Sequence, residues 1–307
     1  MTAADVEGKL TWRDVVDAIA EGHRQAKAET RDTLIDRTGD ALLSRAGWVE
    51  NVGIGVKTVT VFKSNTQRPL PTVQGAMLLF NDGTGAVEAM IDSDLVTKWK
   101  TAADSVLGAS LLARPESERL LILGAGEVAR NLIEAYEALF PRLRTIEIWN
   151  RTPQKASALA SSLNKSTSLE IVSVADLSCA LGRADIISSA TMATDPLVMG
   201  ADVAAGTHVD LVGAYKPDMR EADDDLIRRA ELFVDCRETT LDHIGELMIP
   251  LASGVIERND VRGDLYDLMA GRVSRTDDDA VTVFKNGGGA HLDVMTALAL
   301  LRAMNLS

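Results

Sequence analysis

The sequence is poor in cysteine, histidine and aromatic residues: among 307 residues there are two cysteines, four histidines and 4% aromatic residues. Cys179 and Cys236 lack CxxC spacing and have no histidine cluster beside them. We therefore expect neither a disulfide scaffold nor a zinc site. HExxH, catalytic-serine elbow and EF-hand patterns are also missing, so the sequence gives no support to metal or acyl-transfer chemistry.

Long apolar runs and an excess of positive charge are missing too. No apolar stretch reaches the roughly 20 residues of a membrane span, and the first residues lack a signal-peptide pattern, so we expect a cytoplasmic protein with no membrane partner. The formal net charge is -13, and an acidic surface repels phosphate backbones, so nucleic acid is not an expected partner. The composition, with 46% hydrophobic and 25% charged residues, is typical of a globular protein. The length of 307 residues is enough for two domains.

The chain does contain a change of pattern near residue 118. Before it, closely spaced strands predict an antiparallel meander, at 52–62, 73–80 and 86–91, flanked by helices at 11–28 and 97–113. After it, short apolar strands alternate with helices, which predicts βα units and a parallel sheet. These strands are predicted at 120–123, 145–149, 170–174, 185–189, 208–212 and 231–234, with helices at 127–139, 153–163 and 290–303.

The strongest single motif is the GxGxxA pattern of residues 120–129, LLILGAGEVA, between a predicted strand and helix. Gly124 permits the tight turn, Gly126 lets a pyrophosphate approach the backbone, and the helix N-terminus supplies N–H groups. We therefore predict a dinucleotide site that includes Gly124, Gly126, Glu127 and Val128. The alternative is a plain glycine turn.

The end of the next predicted strand bears on which dinucleotide binds. It reads Asn150-Arg151-Thr152 and lacks the carboxylate with which NAD sites bind the ribose 2′-OH. Arg151 with Thr152 could bind a 2′-phosphate instead, so NADP(H) is favoured. NAD(H) remains an alternative, in which Arg151 is only a solvated loop residue. Three positions at the ends of later strands complete the predicted cofactor site: Thr191, Val212 and Gly213.

Several motifs, spread in order from residue 34 to the C-terminus, resemble the ornithine cyclodeaminase/mu-crystallin family. Beside the Gly124 loop they are residues 55–62 (GVKTVTVF), 71–75, 79–85, 101–103, 184–186 and 283–285. The resemblance implies an α/β protein in which a Rossmann domain, 113–285, is inserted into a smaller α+β domain. That smaller domain, 1–112 with 286–307, would bind substrate and join two copies as a homodimer.

The same resemblance assigns candidate catalytic residues. Lys57 matches the family's active-site lysine, which can pair with a substrate carboxylate or pass a proton to nitrogen. Arg37 aligns with a carboxylate-clamping arginine, although Asp36 stands where the family usually has proline. Lys100 replaces a common arginine, so a bidentate contact becomes a point contact. Asp293 lies in the family's loop before the last helix and is a further candidate, or simply a carboxylate in a first helical turn.

Tyr215 marks a departure from part of the family. Cyclodeaminases and related alanine dehydrogenases have an aspartate there. A tyrosine, with a pKa of about 10, cannot take over the acid–base role of that carboxylate at neutral pH. We therefore expect NAD(P)H-dependent reduction of the C=N bond of a small imino acid, either cyclic like Δ1-pyrroline-2-carboxylate or a linear ketimine. The alternatives are an NAD-dependent ornithine cyclodeaminase and a mu-crystallin-like protein that binds NADPH and a ligand without turnover.

Overall fold

The computed structural model describes residues 1–165 and 167–305. The chain forms two compact units, the first from Met1–Ala103 with Gly289–Ser307 and the second from Asp104–Gly288. The first boundary falls inside the helix Ser93–Leu112. Among the described residues, no helix is long and apolar enough to cross a membrane.

The secondary structure comprises short strands and helices of both units. The strands are β1 (Glu29–Arg37), β2 (Asp40–Val49), β3 (Gly53–Phe62), β4 (Val73–Phe80), β5 (Val87–Asp92), β6 (Arg119–Leu123), β7 (Thr145–Trp149), β8 (Glu170–Ser173), β9 (Ile186–Ser189), β10 (His208–Leu211), β11 (Glu231–Val234), β12 (Val261–Gly263) and β13 (Thr282–Lys285). The helices are α1 (Ala3–Val6), α2 (Trp12–His23), α3 (Ser93–Leu112), α4 (Glu127–Leu139), α5 (Pro153–Leu163), α6 (Leu177–Leu181), α7 (Asp224–Arg229), α8 (Arg237–Thr240), α9 (Gly245–Ala252), α10 (Leu265–Met269) and α11 (Ala290–Asn305).

The first unit is built on a five-stranded antiparallel sheet in the order β1-β2-β3-β4-β5. Strands β3 to β5 were predicted, but no strand was predicted between residues 29 and 49, where β1 and β2 lie. The reason is visible in β1, ETRDTLIDR, which carries five charged residues and is exposed along almost its whole length. It is a strand because nine of its residues pair in unbroken register with β2, a nonlocal effect that hydrophobic periodicity does not reveal.

The two faces of this sheet differ in burial. Met77 and Leu79 of β4 are buried, whereas Leu78 between them is 38% exposed. The buried face packs against α11, and α11 in turn packs against α2. Successive side chains of a strand point to opposite faces, so this alternation means that one face forms the core and the other remains open.

The second unit is a Rossmann-like unit with a parallel sheet in the order β12-β11-β13-β10-β9-β6-β7-β8. Its central strands are apolar and buried, as a sheet covered on both faces requires. The predicted α/β class, with a separate antiparallel sheet, is confirmed. Strands β12 and β13 were not predicted, and β13 lies between β10 and β11 although it follows both in sequence.

Candidate active site

The glycine loop after β6 leads directly into α4 in the second unit. Gly124 has a φ of 115°, and a Cβ built there would lie 2.6 Å from the carbonyl oxygen of Ala190, so only glycine fits. Gly126 is the residue before the first turn of α4, and no described atom lies within 4 Å of the place a Cβ would occupy. The backbone N–H groups at this helix start are therefore open to a ligand, as the binding of a pyrophosphate requires.

A cavity of about 460 Å³ opens beside this loop. It is lined by the 124–126 loop, by residues 149–152 with Lys155, and by residues 190–195 with Leu197. Most of the predicted cofactor residues line it: Gly124, Gly126, Asn150, Arg151, Thr152 and Thr191. In the described part of the chain, four others do not, namely Glu127, Val128, Val212 and Gly213. The start of α4 at Gly126 and the adjoining cavity together fit a dinucleotide.

The cavity wall at the end of β7 is cationic. Arg151 and Lys155 are both exposed and line the cavity, and the side chain of Asn150 donates to the carbonyl oxygen of Thr152 at 2.9 Å, which shapes the turn. Sequence analysis singled out Arg151 but not Lys155. Lys155 follows Arg151 by only four residues and lies in the first turn of α5. This closeness in sequence is the signal that could have identified Lys155.

A second group of charged residues lies in the first unit. Nζ of Lys57 on β3 donates to Oδ1 of Asp293 on α11 at 2.6 Å, and Nζ of Lys100 on α3 lies 3.2 Å from the same oxygen. All three side chains are buried. The structure thus brings together Lys57, Lys100 and Asp293, three of the four residues predicted to be catalytic.

Two glycines explain how α11 reaches the sheet at this point. Gly47 and Gly55 are cross-strand partners, two residues away from the pair Arg45 and Lys57. A Cβ at Gly55 would lie 2.8 Å from the side chain of Val294, and one at Gly47 would lie 3.0 Å from the backbone of Ala290. Because side chains are absent there, the first turn of α11 lies directly on the sheet and carries Asp293 to Lys57.

Burial and charge shift the protonation of this cluster. Burial and the neighbouring Lys100 lower the pKa of Lys57 to about 8, against the opposing effect of Asp293. Burial alone would raise the pKa of Asp293, but the charges of Lys100 and Lys57 lower it. Asp293 is therefore ionised at neutral pH, and Lys57 is a more acidic ammonium than an ordinary lysine.

Arg37 is not brought to this cluster. The register runs Asp32, Arg45 and Lys57 across β1, β2 and β3, so these three side chains share the face that carries Lys57. Arg37 follows Asp32 by five residues on β1, and an odd separation places it on the opposite face, where it is exposed. The strand register therefore does not bring Arg37 to the cluster, and its role as a carboxylate ligand stays a prediction.

Arg45 on β2 is the arginine that lies beside Lys57. Its Nε and Nη2 atoms contact Oδ2 of Asp32 at 2.9 and 2.8 Å, and its charge acts on both Lys57 and Asp293. Sequence reasoning missed Arg45 because β2 was not predicted. Once β2 and β3 are paired, the twelve-residue separation of Arg45 and Lys57 makes them direct cross-strand neighbours.

Two further residues, Tyr215 of the second unit and His291 of the first, differ in exposure. Tyr215 is 54% exposed, with Nζ of Lys216 5.1 Å from its ring centroid. His291 is buried edge-on to His23, with ring centroids 5.4 Å apart, and burial lowers its pKa well below the usual value. Among the described residues, no group of three or more His, Cys, Asp or Glu side chains could hold a metal ion.

Comparison with known proteins gives consistent matches over the whole chain. A family model described as the ornithine cyclodeaminase/mu-crystallin family matches residues 1–304. A Delta(1)-pyrroline-2-carboxylate reductase from Paracoccus denitrificans is 53% identical over 305 residues, 99% of this chain and 96% of the relative. Ketimine reductase mu-crystallin from Mus musculus is 34% identical over 78% of this chain and 73% of its own length.

A solved structure is similar over the same extent. It is that of Thermococcus litoralis Delta(1)-pyrroline-2-carboxylate reductase in complex with NADH and L-proline. It matches with a TM-score of 0.91 and 28% sequence identity, covering 99% of this chain and 96% of that one.

Proposed function

Because the chain belongs to the ornithine cyclodeaminase/mu-crystallin family, we propose that it is an NAD(P)H-dependent reductase of a small imino acid, with Δ1-pyrroline-2-carboxylate as the first substrate to test. The family prediction from sequence motifs is confirmed. The observation that carries the proposal is the buried cluster of Lys57 and Lys100 around Asp293 in a chain that also has a cavity beside a glycine loop. The relative with 53% identity supports the substrate class.

The second unit would hold the cofactor. The N–H groups at Gly126 and the first turn of α4 would bind the pyrophosphate, and Arg151 with Lys155 would bind a 2′-phosphate. We favour NADP(H) on this basis, with NAD(H) as the alternative. A bound reduced nicotinamide supplies the hydride.

The first unit would bind the substrate through its carboxylate. The positive charges of Arg45, Lys57 and Lys100 all act on Asp293. Asp32 pairs with Arg45, and the charge of Lys57 also acts on Asp94. The three cationic side chains would contact the single carboxylate of a cyclic imino acid. The planar guanidinium of Arg45 adds the bidentate geometry that Lys100 lacks.

Lys57 would also supply the proton. Reduction of the C=N bond adds a hydride to carbon and a proton to nitrogen, and with Δ1-pyrroline-2-carboxylate the product is proline. The ammonium of Lys57, made more acidic by burial and by Lys100, is suited to give that proton. Asp293 fixes the position of Nζ and keeps the ammonium charged until transfer.

Oxidation of the reduced cofactor, followed by its absorbance, tests the proposal. We expect turnover with Δ1-pyrroline-2-carboxylate, or with pyruvate plus an amine if the substrate is a linear ketimine. Ammonia release from ornithine with NAD+, without turnover of any imine, would instead identify a cyclodeaminase. Tight NADPH binding with no turnover in any assay would identify a binding protein like mu-crystallin.

We also propose that two copies join through the open face of the first sheet. Trp48, Leu78 and Met90 are 53%, 38% and 65% exposed on that face. The register places Leu78 beside Met90, which makes a continuous apolar surface of the kind that marks an interface. We expect a dimer in analytical ultracentrifugation and a monomer for Met90→Glu. A monomeric parent protein would contradict this assembly.

A further inference from the structure

One wall of the cofactor cavity is tied to a single buried carboxylate, that of Glu221. Residues 190–195 with Leu197 form this wall. Oε1 of Glu221 accepts hydrogen bonds from Oγ of Ser189 at 2.6 Å, from the backbone N of Thr191 at 2.8 Å and from Oγ1 of Thr191 at 2.7 Å. The beginning of the wall is therefore held by one oxygen of Glu221.

The other oxygen of Glu221 holds a second turn. Oε2 accepts a hydrogen bond from the backbone N of Gly213 at 2.6 Å. A Cβ at Gly213 would lie 2.0 Å from the carbonyl oxygen of Thr191, so the turns after β9 and β10 touch at this point. Gly213 does not line the cavity, but it supports Thr191, which does.

The backbone of Glu221 also holds the far end of the wall. Its carbonyl oxygen accepts hydrogen bonds from the N–H of Leu197 at 2.8 Å and of Val198 at 2.9 Å. The wall from 190 to 197 is thus attached to Glu221 at both ends, by the side chain at one and by the main chain at the other. Few alternative positions of the wall satisfy all of these bonds at once.

Glu221 is itself held by a second buried carboxylate. The two oxygens of Glu246 accept the backbone N–H groups of Glu221 at 2.8 Å and of Ala222 at 2.9 Å. Both glutamates are fully buried, and burial together with the charge of Glu221 raises the pKa of Glu246 to about 7. Burying two carboxylates is costly, and the buried ammonium of Lys285, whose pKa both glutamates raise, offsets part of that cost.

We propose that Glu221 is a positioning residue for cofactor binding: through Thr191 and the 190–197 segment it sets the wall against which the dinucleotide lies. The inference rests on the proposed dinucleotide site. The carboxylate is needed because it offers two acceptor oxygens, whereas an amide offers one oxygen and two N–H donors. The hydroxyls of Ser189 and Thr191 can also accept a hydrogen bond, but the backbone N–H groups of Thr191 and Gly213 only donate. A glutamine would therefore keep an acceptor for one of these two N–H groups and not for the other.

The test compares Glu221→Gln and Glu221→Ala with the parent protein, by NADPH fluorescence titration, steady-state kinetics and thermal unfolding. We expect Glu221→Gln to raise the Kd and the KM for NADPH at least about tenfold, with little change in the KM for the imine. Glu221→Ala should lose more affinity, with partial recovery in the glutamine variant. NADPH binding by Glu221→Gln equal to that of the parent protein would overturn the inference.

Asp210→Asn is the matched control. Asp210 is a buried carboxylate of the same unit that accepts hydrogen bonds from Ser105 and Ser188, and from none of residues 190–197 in the described part of the chain. We expect a lower Tm but a Kd for NADPH within about twofold of the parent value. An equal loss of affinity at equal loss of Tm would show that Glu221 acts only through general stability, and would overturn the inference.

A milder variant covers the case in which Glu221→Gln does not fold. Ser189→Ala removes one of the four donors to the carboxylate of Glu221, and Ser189 is buried and does not line the cavity. We expect a rise of about threefold in the Kd for NADPH, and an unchanged Kd would contradict the positioning role. If the parent protein binds neither NADPH nor NADH, the proposed dinucleotide site itself has failed, which is a different result from unchanged binding in the variants.

Discussion

Lys57 and Asp293 are separated by 236 residues in the sequence, yet Nζ of Lys57 donates a 2.6 Å hydrogen bond to Oδ1 of Asp293. Both side chains are buried, and Lys100 shares the same carboxylate oxygen at 3.2 Å. Two ammonium groups around one buried carboxylate leave positive charge that water does not fully solvate. A bound carboxylate anion would stabilise this arrangement, which is why the cluster is suited to an acidic substrate.

Replacing Lys57 tests the chemistry of the cluster. Lys57→Ala removes both a carboxylate ligand and the proton donor, so kcat should fall by at least about 100-fold. The Kd for NADPH should stay within about twofold, because the proposed cofactor residues belong to the second unit. Stopped-flow reduction of the imine and fluorescence titration measure the two effects. Unchanged turnover in this variant would remove Lys57 from the mechanism.

The pH dependence of kcat reports the protonation of the same residue. Burial and the charge of Lys100 lower the pKa of Lys57 to about 8, while Asp293 opposes them and Arg45 adds to them; Asp94 also faces Lys57. Only the protonated amine can give a proton, so kcat should fall as the pH rises through about 8. An ordinary lysine would keep its proton to about pH 10.

Lys57→Arg is the control for this profile. A guanidinium stays protonated throughout the accessible range, so any remaining turnover should not decline near pH 8. A decline at the same pH in both proteins would assign it to another group.

Arg45 and Arg37 form a matched pair for the carboxylate contact. Arg45 is the cross-strand partner of Lys57, and Arg37 is exposed on the opposite face. Loss of a hydrogen bond to a charged group costs about 1.5–3 kcal/mol, so Arg45→Gln should raise the KM for the imine by about 10-fold or more. Arg37→Gln should change it less than about twofold. The reverse result would restore the original assignment of Arg37 from the family resemblance.

Two glycines of the nucleotide loop should respond differently to alanine. Gly124→Ala places a Cβ 2.6 Å from a carbonyl oxygen at a φ of 115°, so it should destabilise the fold by roughly 1–2 kcal/mol or more. Gly126→Ala meets open space and should leave Tm unchanged, but its Cβ would occupy the approach to the helix start. Its Kd for NADPH should rise at least about tenfold. Denaturant unfolding and ligand titration separate the two, and normal binding by Gly126→Ala would argue against a pyrophosphate there.

Arg151 tests the cofactor preference. It lies exposed at the rim of the cavity beside Lys155, with no acidic side chain among residues 149–152. If Arg151 binds a 2′-phosphate, Arg151→Ala should raise the KM for NADPH by about tenfold and hardly change that for NADH. Lys155→Ala should act in the same direction. Equal effects on both cofactors would contradict the preference for NADP(H).

The second unit could be predicted well because its signals are local. A glycine loop between a short apolar strand and a helix can be identified from ten consecutive residues. Apolar strands that are buried on both faces can be identified without knowing which strands they pair with. Strand β13 was missed although its residues belong to a recognised motif. Its place between β10 and β11 depends on pairing with strands that precede it by about 50 to 75 residues.

The sequence by itself determined the family, the two kinds of sheet and the identity of Lys57, Lys100 and Asp293 as candidates, because each rests on a pattern of neighbouring residues. Only the tertiary structure decided that these three meet, since Asp293 reaches Lys57 through the approach of α11 to Gly47 and Gly55. Only the strand register decided that Arg45, and not Arg37, is the cross-strand neighbour of Lys57, because a side chain's face depends on pairing as well as on position.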